Sequence, residues 1–231
     1  MRAALASELR DLFLSVYHAN VTPGPYFYNA GKAGQRRLKN LCLSYLMLLD
    51  DGPVRKICVK QYQEADNMTD VLNALQALVY GPDCPEKEDA LASFYEKWKA
   101  DTLVLDKWFA IQATAPLPDT MTRVKRLMNH PAFSIKNPNK VRSLIGAFCG
   151  ANPVCYHDRS GEGYIFLADR VLELDRLNPQ IAARLLGNLS RWRRYDTKRQ
   201  KLMKEQLERI MGQTKLSGDV YEVAEKSLKK T

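Results

Sequence analysis

The chain has 231 residues, an apolar share of 45% and a formal net charge of +9, from 35 Lys and Arg against 26 Asp and Glu. That length can bury a sizeable core. The longest apolar stretch, LCLSYLMLL over 41–49, ends at Asp50-Asp51 and is too short to cross a bilayer. Glu8 and Asp11 sit within the amino-terminal segment, where the apolar region of a signal peptide carries no acids.

Five cysteines (Cys42, Cys58, Cys84, Cys149 and Cys155) are an odd number without framework spacing. They read as free thiols in a reducing compartment, which places the chain in the cytoplasm. Cys42 and Cys58 have apolar neighbours and are expected in the core. His18, His130 and His157 show no i,i+4 pairing, and neither CxxC nor HExxH occurs, so no metal site is expected in this chain.

In chain order, Leu5, Leu9, Leu12, Val16 and Ala19 recur at three- and four-residue steps and predict one amino-terminal helix with that face buried. VTPGPYFYNAG (21–31) breaks the period. A second helix is expected over 35–49, stopping at DDGP, with Pro53 in the first turn of the next. Asn67 and Asp70 form a capping box for VLNALQALVY, which GPDCP (81–85) ends. Helices follow over ALASFYEKWKA, over TLVLDKWFAIQAT with Asp101 as cap, and over MTRVKRLMN. Only YFY (26–28) and YIFLA (164–168) are strand-like, and the second continues into a helical period at Leu167, Val171, Leu172 and Leu174.

The pattern predicts an all-α chain of about eleven or twelve helices of about 10–18 residues, joined by short loops. It lacks a strict repeat period, so an irregular superhelix, an α-solenoid of armadillo or HEAT-like type, is expected as one domain over 1–231.

Asn-Pro occurs three times, at 137–138, 152–153 and 178–179. Proline suits the first helical position, and Asn before it accepts from an amide of the first turn. Asn137-Pro138 and Asn178-Pro179 therefore predict helix starts. VCYHDRSGEG has no helical period, so Asn152-Pro153 is expected to end a helix and open a loop, with Asp158 or Ser160 capping the helix beyond. Val141, Leu144, Ile145 and Phe148 define one buried face and Ile181, Leu185 and Leu189 another, with Arg142 and Arg184 at the edges. An arginine there is either a snorkelling or salt-bridged structural residue or a functional one.

From Arg184 to Arg209 nine Lys and Arg face three acids, so six of the nine net charges fall in this stretch. SRWRRYDTKRQKLMKEQLERIM interleaves Trp192 and Tyr195 with arginine, as a single-strand-binding surface does. It also reads as one long amphipathic helix with Trp192, Tyr195, Arg199, Leu202, Leu207 and Ile210 buried and the charges solvated. The second reading is favoured over nucleic acid. GEG in DRSGEGYIF does not match a phosphate loop, and no carboxylate pair or cysteine has a partner that would make a catalytic set.

Six stretches together resemble the C-terminal helical domain of bacterial-type aminopeptidase N, a family of zinc-dependent metalloaminopeptidases. They are EADNMTDVLNALQAL (64–78), LVLDKWFAIQAT (103–114), HPAFSIKNPNKVRSLIGAF (130–148), GEGYIFLADRVLELDRLNPQIAARL (161–185), RRYDTKRQKLM (193–203) and LSGDVYE (216–222). The resemblance covers nearly the whole chain in order. It implies an all-α superhelix that closes over a catalytic domain, walls the active-site cavity and controls peptide access. The zinc-binding HExxH and the Gly-x-Met-Glu-Asn motif of that catalytic domain are absent here. The resemblance therefore implies no catalytic residue and no cofactor in this chain, with zinc in the rest of the enzyme and no activity for the chain alone. The implied partners are the catalytic domain and peptides in the cavity, and no membrane. It matches Arg142, Gln180 and Arg184 to residues of the substrate channel. Segment 21–34 departs from the family pattern. The alternative from the residues alone is a free-standing α-solenoid that binds RNA or an acidic protein through 184–209.

Overall fold

Side-chain caps fix where most helices begin. In a computed structural model that describes residues 1–229, all regular structure is helical, with no strand among the described residues. The chain divides into two compact units, Met1–Thr102 and Leu103–Thr231.

The first unit contains α1 (Arg2–Glu8), α2 (Arg10–Ala19), α3 (Ala30–Leu46), α4 (Gly52–Glu64), α5 (Met68–Tyr80) and α6 (Pro85–Trp98). The expected single amino-terminal helix is broken at Leu9. Its predicted face is also displaced: Leu5, Leu9 and Leu12 are 43%, 39% and 58% exposed, while Ala6 and Tyr17 are buried. Phe13 stacks on Tyr45 of α3 and Tyr17 donates to buried Gln61 of α4, so aromatic and polar contacts choose the inward face over the leucine stripe. Helix α3 starts five residues earlier than expected because Asn29 accepts from the Lys32 amide at 3.1 Å. Asp51 caps α4. The Asn67–Asp70 capping box of α5 is present, with the Asp70 amide donating to Asn67 Oδ1 at 3.0 Å. Leu43, Leu46, Cys58, Leu75, Leu78 and Phe94 are fully buried, each large apolar side chain contributing about 1.5–3 kcal/mol.

The second unit contains α7 (Thr102–Ala113), α8 (Thr120–Leu127), α9 (Pro138–Val141), α10 (Ala147–Ala151), α11 (Pro153–Tyr156), α12 (Glu162–Asp175), α13 (Pro179–Leu186), α14 (Thr197–Met211) and α15 (Gly218–Leu228). Neighbours in sequence pack as pairs, α12 with α13 and α14 with α15, as helix repeats do. The number of helical segments exceeds the eleven or twelve expected. The excess comes from the break at Leu9, from a π-helical turn over Arg142–Gly146 that divides α9 from α10, and from the one-turn α11. None of these alters the spacing of apolar residues, so the pattern does not mark them.

Asn152-Pro153 corrects the loop expectation. Asn152 ends α10 and also caps α11, accepting from the Cys155 amide at 3.1 Å. Beyond it, the cap position of α12 is Gly161 (φ +79°) rather than Asp158 or Ser160. Both still serve the turn: Asp158 accepts from the Ser160 amide and Ser160 Oγ from that of Glu162.

The expected long helix over 190–211 is interrupted as well. A 3-10 turn spans Trp192–Arg194, Tyr195 is extended, and Asp196 caps α14 by accepting from the Arg199 amide at 3.1 Å. The buried stripe of α14 is Met203, Leu207 and Ile210. Capping by Asp196 competes successfully with helix continuation.

Candidate functional site

The two Asn-Pro helix starts of the second unit act as read from the sequence. Asn137 accepts from the amides of Asn139 and Lys140, and Asn178 from that of Ile181 at 3.2 Å. Val141, Leu144, Ile145 and Phe148 are all fully buried, as the periodicity predicts. In α13 the buried residues are Ala182, Leu185 and Leu186, followed by Leu189, with Ile181 only partly covered.

Arg142 is exposed and opens the π-helical turn, whose wide ring closes when the Ala147 amide reaches back to the Arg142 carbonyl. Such turns recur at functional sites. The Arg142 guanidinium donates to Asn139 Oδ1, one turn earlier. Next to it, Lys140 is buried and pairs with Asp106 of α7 at 2.7 Å, fixing the base of this helix.

Gln180 and Arg184 are exposed one turn apart on α13. Among the described residues neither side chain has a hydrogen-bond or ion-pair partner, so Arg184 is not a salt-bridged structural residue. Beyond their starts the two helices touch. A Cβ at Gly146, which ends the π-turn, would lie 3.7 Å from Leu185 Cδ2, and one at Gly150 would lie 3.4 Å from Asn188 Oδ1.

The basic segment is partly committed to the fold. Arg193 donates to the carbonyls of Ser227, Leu228 and Lys229 at the end of α15, at 2.8–2.9 Å. Arg199 donates to the His157 carbonyl at 2.8 Å and pairs with Asp196 at 2.6 Å, and Arg209 pairs with Asp169 at 2.6 Å. Trp192 Nε1 donates to the Ser227 carbonyl, with Arg193 over its ring at 4.3 Å. Tyr195 lies 4.3 Å from the His157 ring, and its hydroxyl meets His157 Nε2 at 2.9 Å. Both aromatic rings are therefore occupied within the chain and not offered to bases.

His157 is the group that sequence reading passed over. Its Nδ1 meets the Tyr164 hydroxyl at 2.9 Å while Nε2 meets Tyr195. Burial, with the Arg199 charge added, lowers its pKa and keeps the ring neutral. Its position two residues after Cys155 gave no sign of this, because both tyrosines come from elsewhere in the chain. Cys149 is buried, which pushes its thiol far up and away from nucleophilic use. Among the described residues no three His, Cys, Asp or Glu side chains come together as a metal-binding group.

Comparison with known proteins agrees with this architecture. The family model described as "Domain of unknown function (DUF3458_C) ARM repeats" matches residues 1–229. Aminopeptidase N of Escherichia coli (strain K12) is 41% identical over 224 residues, which are 97% of this chain and 26% of that protein. Aminopeptidase N of Caulobacter vibrioides is 40% identical over 228 residues, again 26% of its length. A crystal structure of Legionella pneumophila aminopeptidase A in complex with aspartic acid superposes with a TM-score of 0.88 at 37% identity, covering 98% of this chain and 27% of that one. The chain thus spans about a quarter of the length of the relatives it matches. It belongs to this family of all-α, ARM-repeat domains, the C-terminal domain of aminopeptidase N-type enzymes.

Proposed function

We propose that this chain acts as one domain of a longer, cytoplasmic zinc aminopeptidase that removes amino-terminal residues from peptides. In this reading it caps the catalytic domain and walls the cavity through which peptides reach the zinc. The observation that carries it is Arg184: exposed on a capped helix, without a hydrogen-bond or ion-pair partner among the described residues, in a chain of which 97% matches a quarter of aminopeptidase N. Arg142, Gln180 and Arg184 line the channel. The two arginines give it positive charge that attracts peptide carboxylates and disfavours basic tails. No residue here performs the chemical step, which rests with the zinc-bearing domain. The exposed Leu5, Leu9 and Leu12 supply apolar area against which the rest of the polypeptide packs.

The test is steady-state kinetics of the full-length enzyme with Arg142→Gln and Arg184→Gln. Each variant should lose about 3–10-fold in kcat/KM for peptides with a free carboxyl terminus, the size of one partly screened charge interaction. Turnover of an alanyl-arylamide, which has no carboxylate, should change little. Unchanged peptide kinetics in both variants would remove the channel role.

A second reading, an acidic macromolecule bound through 184–209, draws on the cations Arg184, Arg191, Arg194, Lys198 and Lys201, which have no polar partner among the described residues. The occupied rings of Trp192 and Tyr195 speak against single-stranded nucleic acid.

A further inference from the structure

In the first unit, the segment after α2, whose structure the sequence leaves open, forms one wall of a cavity of about 670 Å³. Three contacts hold that wall. The Tyr26 amide donates to the Asp66 carboxylate at 2.5 Å, the Arg36 guanidinium lies 4.9 Å from the Tyr26 ring, and the Lys32 ammonium lies 3.7 Å from the Phe27 ring. Part of the lining is a buried hydrogen-bonded chain. Tyr17 donates to Gln61, Gln61 to Asn40, and both Asn40 and Lys39 to the Asp70 carboxylate, at 2.7–3.0 Å. Each group in that chain has its partner.

Arg36 is less committed. Its side chain lines the cavity, its guanidinium sits by the Tyr26 ring and, after the Tyr26 amide, its charge helps to lower the pKa of Asp66, and among the described residues it makes no hydrogen bond or ion pair. The planar fork of arginine matches a carboxylate with two parallel hydrogen bonds. Lys32, Arg36, Lys39 and Lys60 share the lining with Glu64, Asp66 and Asp70, which leaves one surplus positive charge. One surplus charge suits a monoanion better than a dianionic phosphate. Val21, Pro23, Pro25 and Ile57 add apolar surface, and the volume falls in the range of small-molecule sites. We propose that this cavity binds a small monocarboxylate carried on an apolar or aromatic body, with its carboxylate on the Arg36 fork.

Calorimetric titration of the full-length protein with N-acetylphenylalanine, its carboxamide and inorganic phosphate tests this. The acid should bind about tenfold or more tightly than either comparison compound. Arg36→Gln should cost the acid about tenfold, while Arg142→Gln and Arg184→Gln leave it unchanged, which separates this site from the channel reading. Should Arg36→Gln fail to fold, Lys60→Glu at an exposed position decides. It reverses the surplus charge and should weaken the acid about threefold or more, sparing the amide. No binding of the acid, equal binding of acid and amide, tighter binding of phosphate, or acid binding unaffected by the lining substitution that is decisive would each overturn the proposal. The first of these would mean that Arg36 is satisfied by a shift toward Asp66.

Discussion

Asn152 ties two stretches of backbone together through one side chain. Its Oδ1 caps α11, and its Nδ2 donates to the carbonyls of Ala113 and Ala115 at 3.0 and 2.8 Å. The residue is fully buried, so replacing it leaves acceptors without water. Asn152→Ala should destabilise the fold by about 2–4 kcal/mol in chemical denaturation. His157 acts through protonation. Burial and Arg199 lower its pKa, and burial lowers that of His130, whose Nδ1 accepts from the Ala132 amide. A histidine whose folded pKa lies below its unfolded value favours folding when neutral. That contribution is present above about pH 6.5 and is lost as the pH falls through 6.5 toward the folded value. Tm should therefore hold between about pH 8 and 7 and drop from about 6.5 to 5, with a shallower drop in His157→Gln. Neither role of Asn152 was legible: its Asn-Pro pair reads as a helix end opening a loop, and the carbonyls that complete its bonding come from elsewhere in the chain.

Among the elements, α11 and α12 meet at Gly163. A Cβ there would lie 2.2 Å from the Tyr156 carbonyl oxygen, so only glycine lets the two backbones approach. Gly163→Ala should force them apart and cost about 2–4 kcal/mol, which a lowered Tm would report. In the sequence GEG suggested a loop and nothing more, since close approach depends on which backbone lies opposite. The π-turn at Arg142–Gly146 was equally hidden, because Val141, Leu144, Ile145 and Phe148 keep helical spacing through it. Helix starts were the reverse case: Asn67, Asn137 and Asn178 cap where their side chains predicted, since capping needs only the next three amides.

For the whole molecule, the leucines of α1 and α2 matter most. Leu5, Leu9 and Leu12 are spaced for burial yet exposed, as expected of a surface made to be covered. The 231-residue chain on its own should self-associate weakly at high concentration, and Leu5→Gln with Leu9→Gln should reduce that association in sedimentation velocity without lowering Tm. A Tm loss in place of the association change would show the stripe to be packed within the fold. The all-α class, the helix starts at Asn67, Asn137 and Asn178, the free thiols of the core and the family were determined by the sequence, because spacing, caps and long matching stretches are local or linear properties. The inward face of α2, the neutral His157 between two tyrosines, the approach of Gly146 to Leu185, and the cavity beside Arg36 were decided only by the tertiary structure. Each depends on which distant side chains and carbonyls meet, and burial then fixes whether a charge or a hydrogen bond finds a partner.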